Sequence, residues 1–190
     1  MSGMIQIGRM MKLKVLSGDF VHLHNHTVRG SLLDSTLTVK QLVNFASINN
    51  QKAIAVTNHG KMHDFVEFYK ECKKVGIKPI IGNEIYEVDD IENEETKNNR
   101  YHLILLVKNQ KGLQNLFKIV SDAHKHFYYK PIIDLDYIKK NNLGEGLICL
   151  TACQAGRFSR MATKGQQDSM LGYYNKLNAI FDQTILSRRN

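Results

Sequence analysis

"AIAVTNHGKMHDFVEFYKECKKVGIKPIIGNE", Ala53 to Glu84, changes its hydrophobic period twice. AIAVT (Ala53–Thr57) is a short apolar run of the buried-strand type. DFVEFYKECKKVG (Asp64–Gly76) places Phe65, Phe68, Tyr69 and Cys72 on one helical face and ends on a glycine stop. KPIIG (Lys78–Gly82) reads as the next strand, so the stretch predicts strand, helix, strand.

The same alternation continues on both sides. DFVHLH (Asp19–His24) reads as a strand, followed by a helix in TVKQLVNFASINN (Thr38–Asn50) with Val39, Leu42, Val43 and Ala46 in register and Thr38 as its cap. Downstream, EIYEV (Glu84–Val88) and YHLILLV (Tyr101–Val107) flank an acidic loop, DDIENEE (Asp89–Glu95), and can pair as a hairpin. KGLQNLFKIVSDAH (Lys111–His124) reads as a helix on Leu113, Leu116, Phe117 and Val120. GLICLTAC (Gly146–Cys153) is a further strand and DSMLGYYNKLNAIF (Asp168–Phe181) a final helix. Such alternation predicts a mostly parallel α/β fold, either an open sheet or a barrel. Neither G-x-G-x-x-G nor G-x-x-x-x-G-K-[ST] occurs, so no nucleotide-fold fingerprint is present. We find no internal repeat and no low-complexity segment.

With 190 residues, 43% hydrophobic and 23% charged, the composition is that of one ordinary globular domain. No apolar run reaches membrane-spanning length, and the first eighteen residues carry no signal-peptide pattern. Cys72, Cys149 and Cys153 are odd in number and form no Cys-x-x-Cys, so reduced thiols and a cytoplasmic setting are expected. The net charge of +8 favours anionic partners, nucleic acid first, although the basic residues are scattered.

Parallel α/β folds gather chemistry at the C-terminal ends of their strands. His24 and His26 end the first strand, His59 follows the second, Glu84 follows the third, and Cys153 ends the strand GLICLTAC. Singly these are a surface pair, a turn histidine, a surface carboxylate and a small core residue. Together on one rim they point to a metal site, because alternate histidines on a strand bring two imidazoles to one ion. His22 lies further back and is expected to support the ligands or the core. His102 starts its strand and is expected to face the opposite end. Cys72, on an apolar helix face, reads as core.

The blocks themselves carry a resemblance. FVHLHNHTVRGSLLDS (Phe20–Ser35) resembles the opening of the PHP (polymerase and histidinol phosphatase) domain of bacterial DNA polymerase III alpha subunits. The stretch Ala53–Val88 is similar to that family's next block. Tyr101–His124, FYYKPIIDLD (Phe127–Asp136) and EGLICLTACQAGRF (Glu145–Phe158) continue in the same order. The resemblance implies a distorted β/α barrel, incomplete at its C-terminal end, with a cluster of up to three divalent ions. It implies His24 and His26 as the His-x-His ligands, Asp34 as a carboxylate ligand, His59 as the histidine of Thr-Asp-His-Gly and Glu84 as the glutamate of Gly-x-Glu. His124 corresponds to the histidine of Ser-x-x-His, and Cys153 to the cysteine of Ser-x-Cys. Mixed imidazole, carboxylate and thiolate donors suit Zn²⁺ or Mn²⁺ better than Mg²⁺.

Two departures stand out. Asn58 occupies the position of the family's aspartate before His59, which removes a negative charge beside the ligands. The family's last ligands, an Asp-x-His pair on a late strand, are expected to be missing from the whole chain, and the tail Ser187–Asn190 does not match. The expectation is an N-terminal extension over 1–18 and a PHP domain over 19–190 without its late strands, in a truncated or phage-encoded form. The resemblance implies a metal-binding scaffold or a 3′-end phosphodiesterase of DNA replication, weak or inactive alone. Its partners would be DNA and the rest of the alpha subunit or the replisome, with no membrane. A free-standing metal-dependent phosphoesterase is the alternative, and an inactive remnant used for protein contacts a third reading.

Overall fold

A computed structural model describes residues 20–31 and 34–185. The expected extension over 1–18, Asp19, and Leu32 and Leu33 of the SLLD motif lie outside the described residues. In chain order the elements are α1 (Val39–Ile48), β1 (Ala53–Val56), α2 (Phe65–Lys74), β2 (Lys78–Val88), β3 (Tyr101–Val107), α3 (Gln110–Lys125) and β4 (Phe127–Tyr128). Then come β5 (Lys130–Asp134), α4 (Leu135–Lys140), β6 (Leu147–Leu150), α5 (Arg157–Thr163), α6 (Gln167–Asn178) and β7 (Gln183–Ile185).

The helix α1 starts where its sequence says it should. Thr38 accepts from Gln41 N while the Gln41 side chain accepts from Thr38 N, a reciprocal capping box. On α2 only Phe68 and Cys72 of the expected face are buried, while Tyr69 is exposed. Phe65 instead meets Phe117 of α3, ring centroids 5.3 Å apart.

The organising strand is β2. Lys78–Gly82 and Glu84–Val88, read from the sequence as two strands, form one strand of 11 residues. Its first half pairs parallel with β1, Val56 opposite Ile81. Its middle pairs antiparallel with β3, Glu84 opposite Ile104, and its last residues pair parallel with β5. The sheet runs β4-β5-β2-β3-β6-β7, with β1 against the start of β2. Three of its pairings are parallel and three antiparallel, so the sheet is mixed rather than mostly parallel. The sheet is α/β and open. No closing pair joins β7 to the other edge among the described residues.

Alternation along β3 divides the interior. Leu103 and Leu105 pack against α3, α4 and α6 through Leu116, Ile119, Ile138 and Leu177. Ile104 and Leu106 face the other way, onto Ala55, Leu150 and Leu23. Ile54 and Val56 of β1 are covered by α1 and α2 through Leu42, Val43 and Phe68. The inner face that carries Ile104 and Leu106 is therefore roofed by β1 and by the segment that precedes it.

That segment, Phe20–Thr27, was expected to be a strand. It runs parallel beside β1 without joining the ladder: Ala55 N donates to His22 O (2.9 Å) and Thr57 N to Asn25 O (2.8 Å). A step of two residues on β1 is matched by three on the segment, so one residue is extra, as in a bulge. The Asn25 side chain bridges the gap by donating to the carbonyls of His22 and Ala55. The phase of the side chains shifts there. His22 packs on Phe20 and Phe45, whereas His24 and His26 turn to the inner face.

Truncating Leu105, wholly buried between sheet and helices, is expected to cost about 3 kcal/mol as Leu105→Ala, and removing the α1 cap as Thr38→Ala about 1 kcal/mol. Urea unfolding followed by circular dichroism checks both, and reversed magnitudes would contradict this account of the core.

Candidate metal centre

Glu84 sits in the middle of β2, not after a strand end, and its side chain is fully buried. Four histidines surround it. Oε2 lies 3.0 Å from His24 Nε2, 3.1 Å from His26 Nε2 and 3.3 Å from His59 Nδ1. Oε1 lies 2.7 Å from His102 Nδ1 and 4.0 Å from the Cys153 thiol.

Each neighbour is delivered by a separate local cause. His24 and His26 arrive from the segment after the bulge. His59 lies beyond β1, in a continuation of its register: it forms an isolated parallel bridge with Glu84, Glu84 N donates to Asn58 O, and Gly60 N donates to Glu84 O. Gly60, at φ +57°, then turns the chain away, and a Cβ there would meet Pro131 Cγ at 2.6 Å. Cys153 follows Ala152, a non-glycine residue at φ 56°, which swings the thiol inward after β6. The loop is pinned to the sheet by His102 N donating to Ala155 O.

His102 was expected to face away, and it does the opposite. Because β3 runs antiparallel to β2, its first residues lie at the rim where β2 carries Glu84 and Tyr86. His102 opposes Tyr86, Glu84 opposes Ile104, and so His102 and Glu84 are diagonal neighbours on one face. The signal was already present in the hairpin read from the flanks of the acidic loop, since a hairpin reverses the direction of its second strand.

The other sequence candidates fall at different distances. Asp34 Oδ2 is 3.0 Å from His59 Nε2, on the exposed side of the cluster. His124 is hydrogen-bonded to Gly60 O (2.9 Å) and belongs to neither group of converging donors. It ends Asp122-Ala123-His124, an Asp-x-His that sits on α3 rather than on a late strand. Asp122 is engaged by Lys118, Lys125 and Tyr137, and so is occupied elsewhere. Asn58 does not face Glu84. Its amide braces Thr27 N and Oγ1, and Gly30 is required because any Cβ there would collide with the Asn58 side chain.

Two trios of donors share Glu84: His24, His26 and Glu84, and His59, Glu84 and His102, each with its atoms within 4.8 Å of one another. The ring nitrogens of His24 and His26 approach to 3.0 Å on the same carboxylate oxygen. His26 Nδ1 and His59 Nδ1 are buried without a hydrogen bond. Crowded imidazole and carboxylate donors with orphaned nitrogens fit divalent cations.

Electrostatics reinforce that picture. Burial opposes ionisation of Glu84, but hydrogen bonds from His102, His24 and His26 outweigh it and hold the carboxyl well below the usual carboxylate range. Burial opposes protonation of His102, yet Cys153 and Glu84 overcome it and raise the imidazole to about 9. Glu84 similarly raises His24 against burial, whereas burial dominates at His59 and lowers it. The hydrogen bond to His102 lowers the Cys153 thiol.

The PHP domain model matches residues 22–186. This chain belongs to the PHP domain family. The DNA polymerase III alpha subunit of Aquifex aeolicus is 44% identical over 180 residues, covering 90% of this chain and 15% of that protein. The Borreliella burgdorferi subunit is 42% identical over 147 residues, covering 75% of this chain and 13% of the relative. The chain thus spans only a small part of the length of those relatives. Among solved structures, an amidohydrolase from Chromobacterium violaceum matches with a TM-score of 0.42 at 17% identity, covering 65% of this chain and 37% of that one.

The raised His102 has a consequence for metal-free protein. A group whose folded pKa exceeds its ordinary 6.5 contributes stability that is complete below pH 6.5 and lost as pH rises through about 9. With chelator present, the wild type is expected to lose on the order of 2 kcal/mol relative to His102→Gln between those limits, measured by urea unfolding at each pH. Parallel pH profiles would contradict the charge on His102.

Proposed function

We propose that this chain binds divalent metal ions around Glu84, and that the centre serves phosphodiester chemistry at DNA 3′ ends within a DNA polymerase III alpha type of assembly. The convergence of His24, His26, His59 and His102 on one buried carboxylate carries the reading. Family membership and relatives named as DNA polymerase III alpha subunits support the replication setting. His24 and His26 would hold one ion with Glu84, and His59 and His102 a second. Asp34 and Cys153 would complete the shells from the exposed and inner sides. Zn²⁺ or Mn²⁺ suits this donor set. The ions would supply positive charge for a phosphate and a hydrolytic water reactive near neutral pH.

The residues around the ions have definable tasks. Glu84 belongs to both trios, with Oε2 facing His24, His26 and His59 and Oε1 facing His102, so it couples the two positions. Asp34 holds His59 Nε2 at 3.0 Å and keeps that ring aimed at the cluster. Ile104, Leu106 and Ala55 form an apolar floor that excludes water from behind the carboxylate. Hydrolysis by these 190 residues alone is expected to be weak, because no late Asp-x-His pair joins Glu84 among the described residues.

The experiment is elemental analysis of protein purified without chelator. His24→Ala/His26→Ala should lose part of the bound metal, and Glu84→Gln should lose it all. Equal metal in all three proteins would end the assignment. A labelled single-stranded primer with Mn²⁺ then tests the chemistry. Robust 3′-end cleavage that vanishes in His59→Ala would show that the centre works without the late pair.

A further inference from the structure

Beside the metal centre runs a second feature, a cleft of about 250 Å³ lined by Arg29, Lys61, Asp34, His59, Tyr86 and the turn Phe127–Pro131. It is continuous with the centre, because His59 and Asp34 belong to both. Tyr86 stacks on His59 at 5.7 Å and lies under Lys130 Nζ at 5.5 Å.

The turn joining β4 to β5 is unusual. Tyr128 pairs with Lys130, so Tyr129 alone forms the apex, at φ 56° and 75% exposed. A bulky residue in the left-handed region is disfavoured, and glycine or asparagine would serve the turn better. Phe127, two residues away on the same ribbon, is 60% exposed. Neither ring belongs to a buried cluster: Phe127 stacks on His124, and Tyr129 meets Tyr128 edge-on. Strain at an exposed aromatic beside a reactive centre points to recognition rather than folding. Charge agrees: neither Lys61 nor Lys130 has a carboxylate partner among the described residues, and Arg29 is held only by Glu67 and, loosely, Asp64.

We propose that this cleft seats the unpaired 3′-terminal nucleotides of a DNA strand. Tyr129 and Phe127 stack against the bases, while Lys61, Lys130 and Arg29 follow the phosphates. The identity of the strand as DNA rests on the function proposed above. The cleft is smaller than the roughly 300–1,000 Å³ of drug-sized ligand pockets, which suits single nucleotides of an extended strand and not a duplex. Aromatic rings beside unpaired lysines are the pattern of sequence-tolerant single-strand binding, with each stacked base worth roughly 5- to 150-fold in affinity.

The test compares binding of fluorescein-labelled dT12 with an abasic phosphodiester 12-mer of the same charge, by anisotropy in chelator so that cleavage cannot intervene. Wild type is expected to prefer dT12 by at least about 5-fold. Tyr129→Gly, which relieves the turn and keeps the fold by circular dichroism and Tm, should abolish the preference and leave abasic binding unchanged. Phe127→Ala should reduce it. A 3′-terminal hairpin in place of the free end should lower affinity to the abasic level. Equal wild-type affinity for dT12 and the abasic strand, or an undiminished preference in Tyr129→Gly, would overturn the proposal. Metal content of the same preparations, measured before chelator is added, separates the readings: protein purified without metal that keeps the base preference refutes the metal centre and retains the cleft.

Discussion

A carboxylate with no exposed surface has to be matched by positive or hydrogen-bond-donating groups, since burying an isolated charge costs several kcal/mol even after relaxation. Glu84 meets that requirement with four imidazoles from three separate parts of the chain. The constraint reaches far. It fixes β2 as one uninterrupted strand, because Glu84 lies at its middle, paired with Ile104 on one edge and bridged to His59 on the other. The segment after the bulge must present His24 and His26 together. The loop after β6 must turn at Ala152.

Mixed strand direction is what makes the cluster possible. In an all-parallel sheet each strand delivers its C-terminal end to one rim, and a histidine at a strand start would be lost to the other side. Here β3 is reversed, so His102 at its beginning meets Glu84. β6 is reversed again, so Cys153 after its end arrives at the same place. Two antiparallel pairings thus restore one rim. Charge follows geometry: His102 is raised by its contacts with Cys153 and the buried glutamate, and the Cys153 thiol is lowered by its hydrogen bond with His102 against the opposing charge of Glu84.

The α/β class was legible because strand and helix periods alternate cleanly, and His24, His26, His59, Glu84 and Cys153 were legible because each sits near the end of an apolar run. What the sequence hid were features set by partners rather than by period. A bulge costs one residue of phase, and nothing in FVHLHNHT reveals that three residues there face two on β1. The strand β2 reads in the sequence as two pieces, Lys78–Gly82 and Glu84–Val88, with Asn83 left between them. Asn83 is instead buried, donating to the carbonyls of Asn58 and Lys61, and Gly82 packs where a Cβ would strike Leu106 Cδ2 at 2.6 Å. β4 and β7 are too short to carry a period of their own.

Asn58 shows how a departure from family pattern can be internally consistent. Read as a lost charge, it suggests a weakened centre. Its side chain, however, faces Thr27 and not the cluster. The Asn58 amide donates to Thr27 Oγ1 at 2.8 Å, and Thr27 Oγ1 in turn donates to Asp64. Asp64 is buried, with Arg29 as its distant cation at 3.8 Å. A hydroxyl has one proton to donate. An aspartate at 58 would bring a second carboxylate to that hydroxyl and remove the N–H₂ that now satisfies it, leaving two buried acids to share the one hydroxyl proton. An amide at 58 and an acid at 64 avoid that conflict. The backbone of Asn58 meanwhile holds Glu84 N through its carbonyl. The residue therefore supports the cluster around Glu84 by fixing the segment that carries His59, a task that depends on hydrogen-bond count and not on charge.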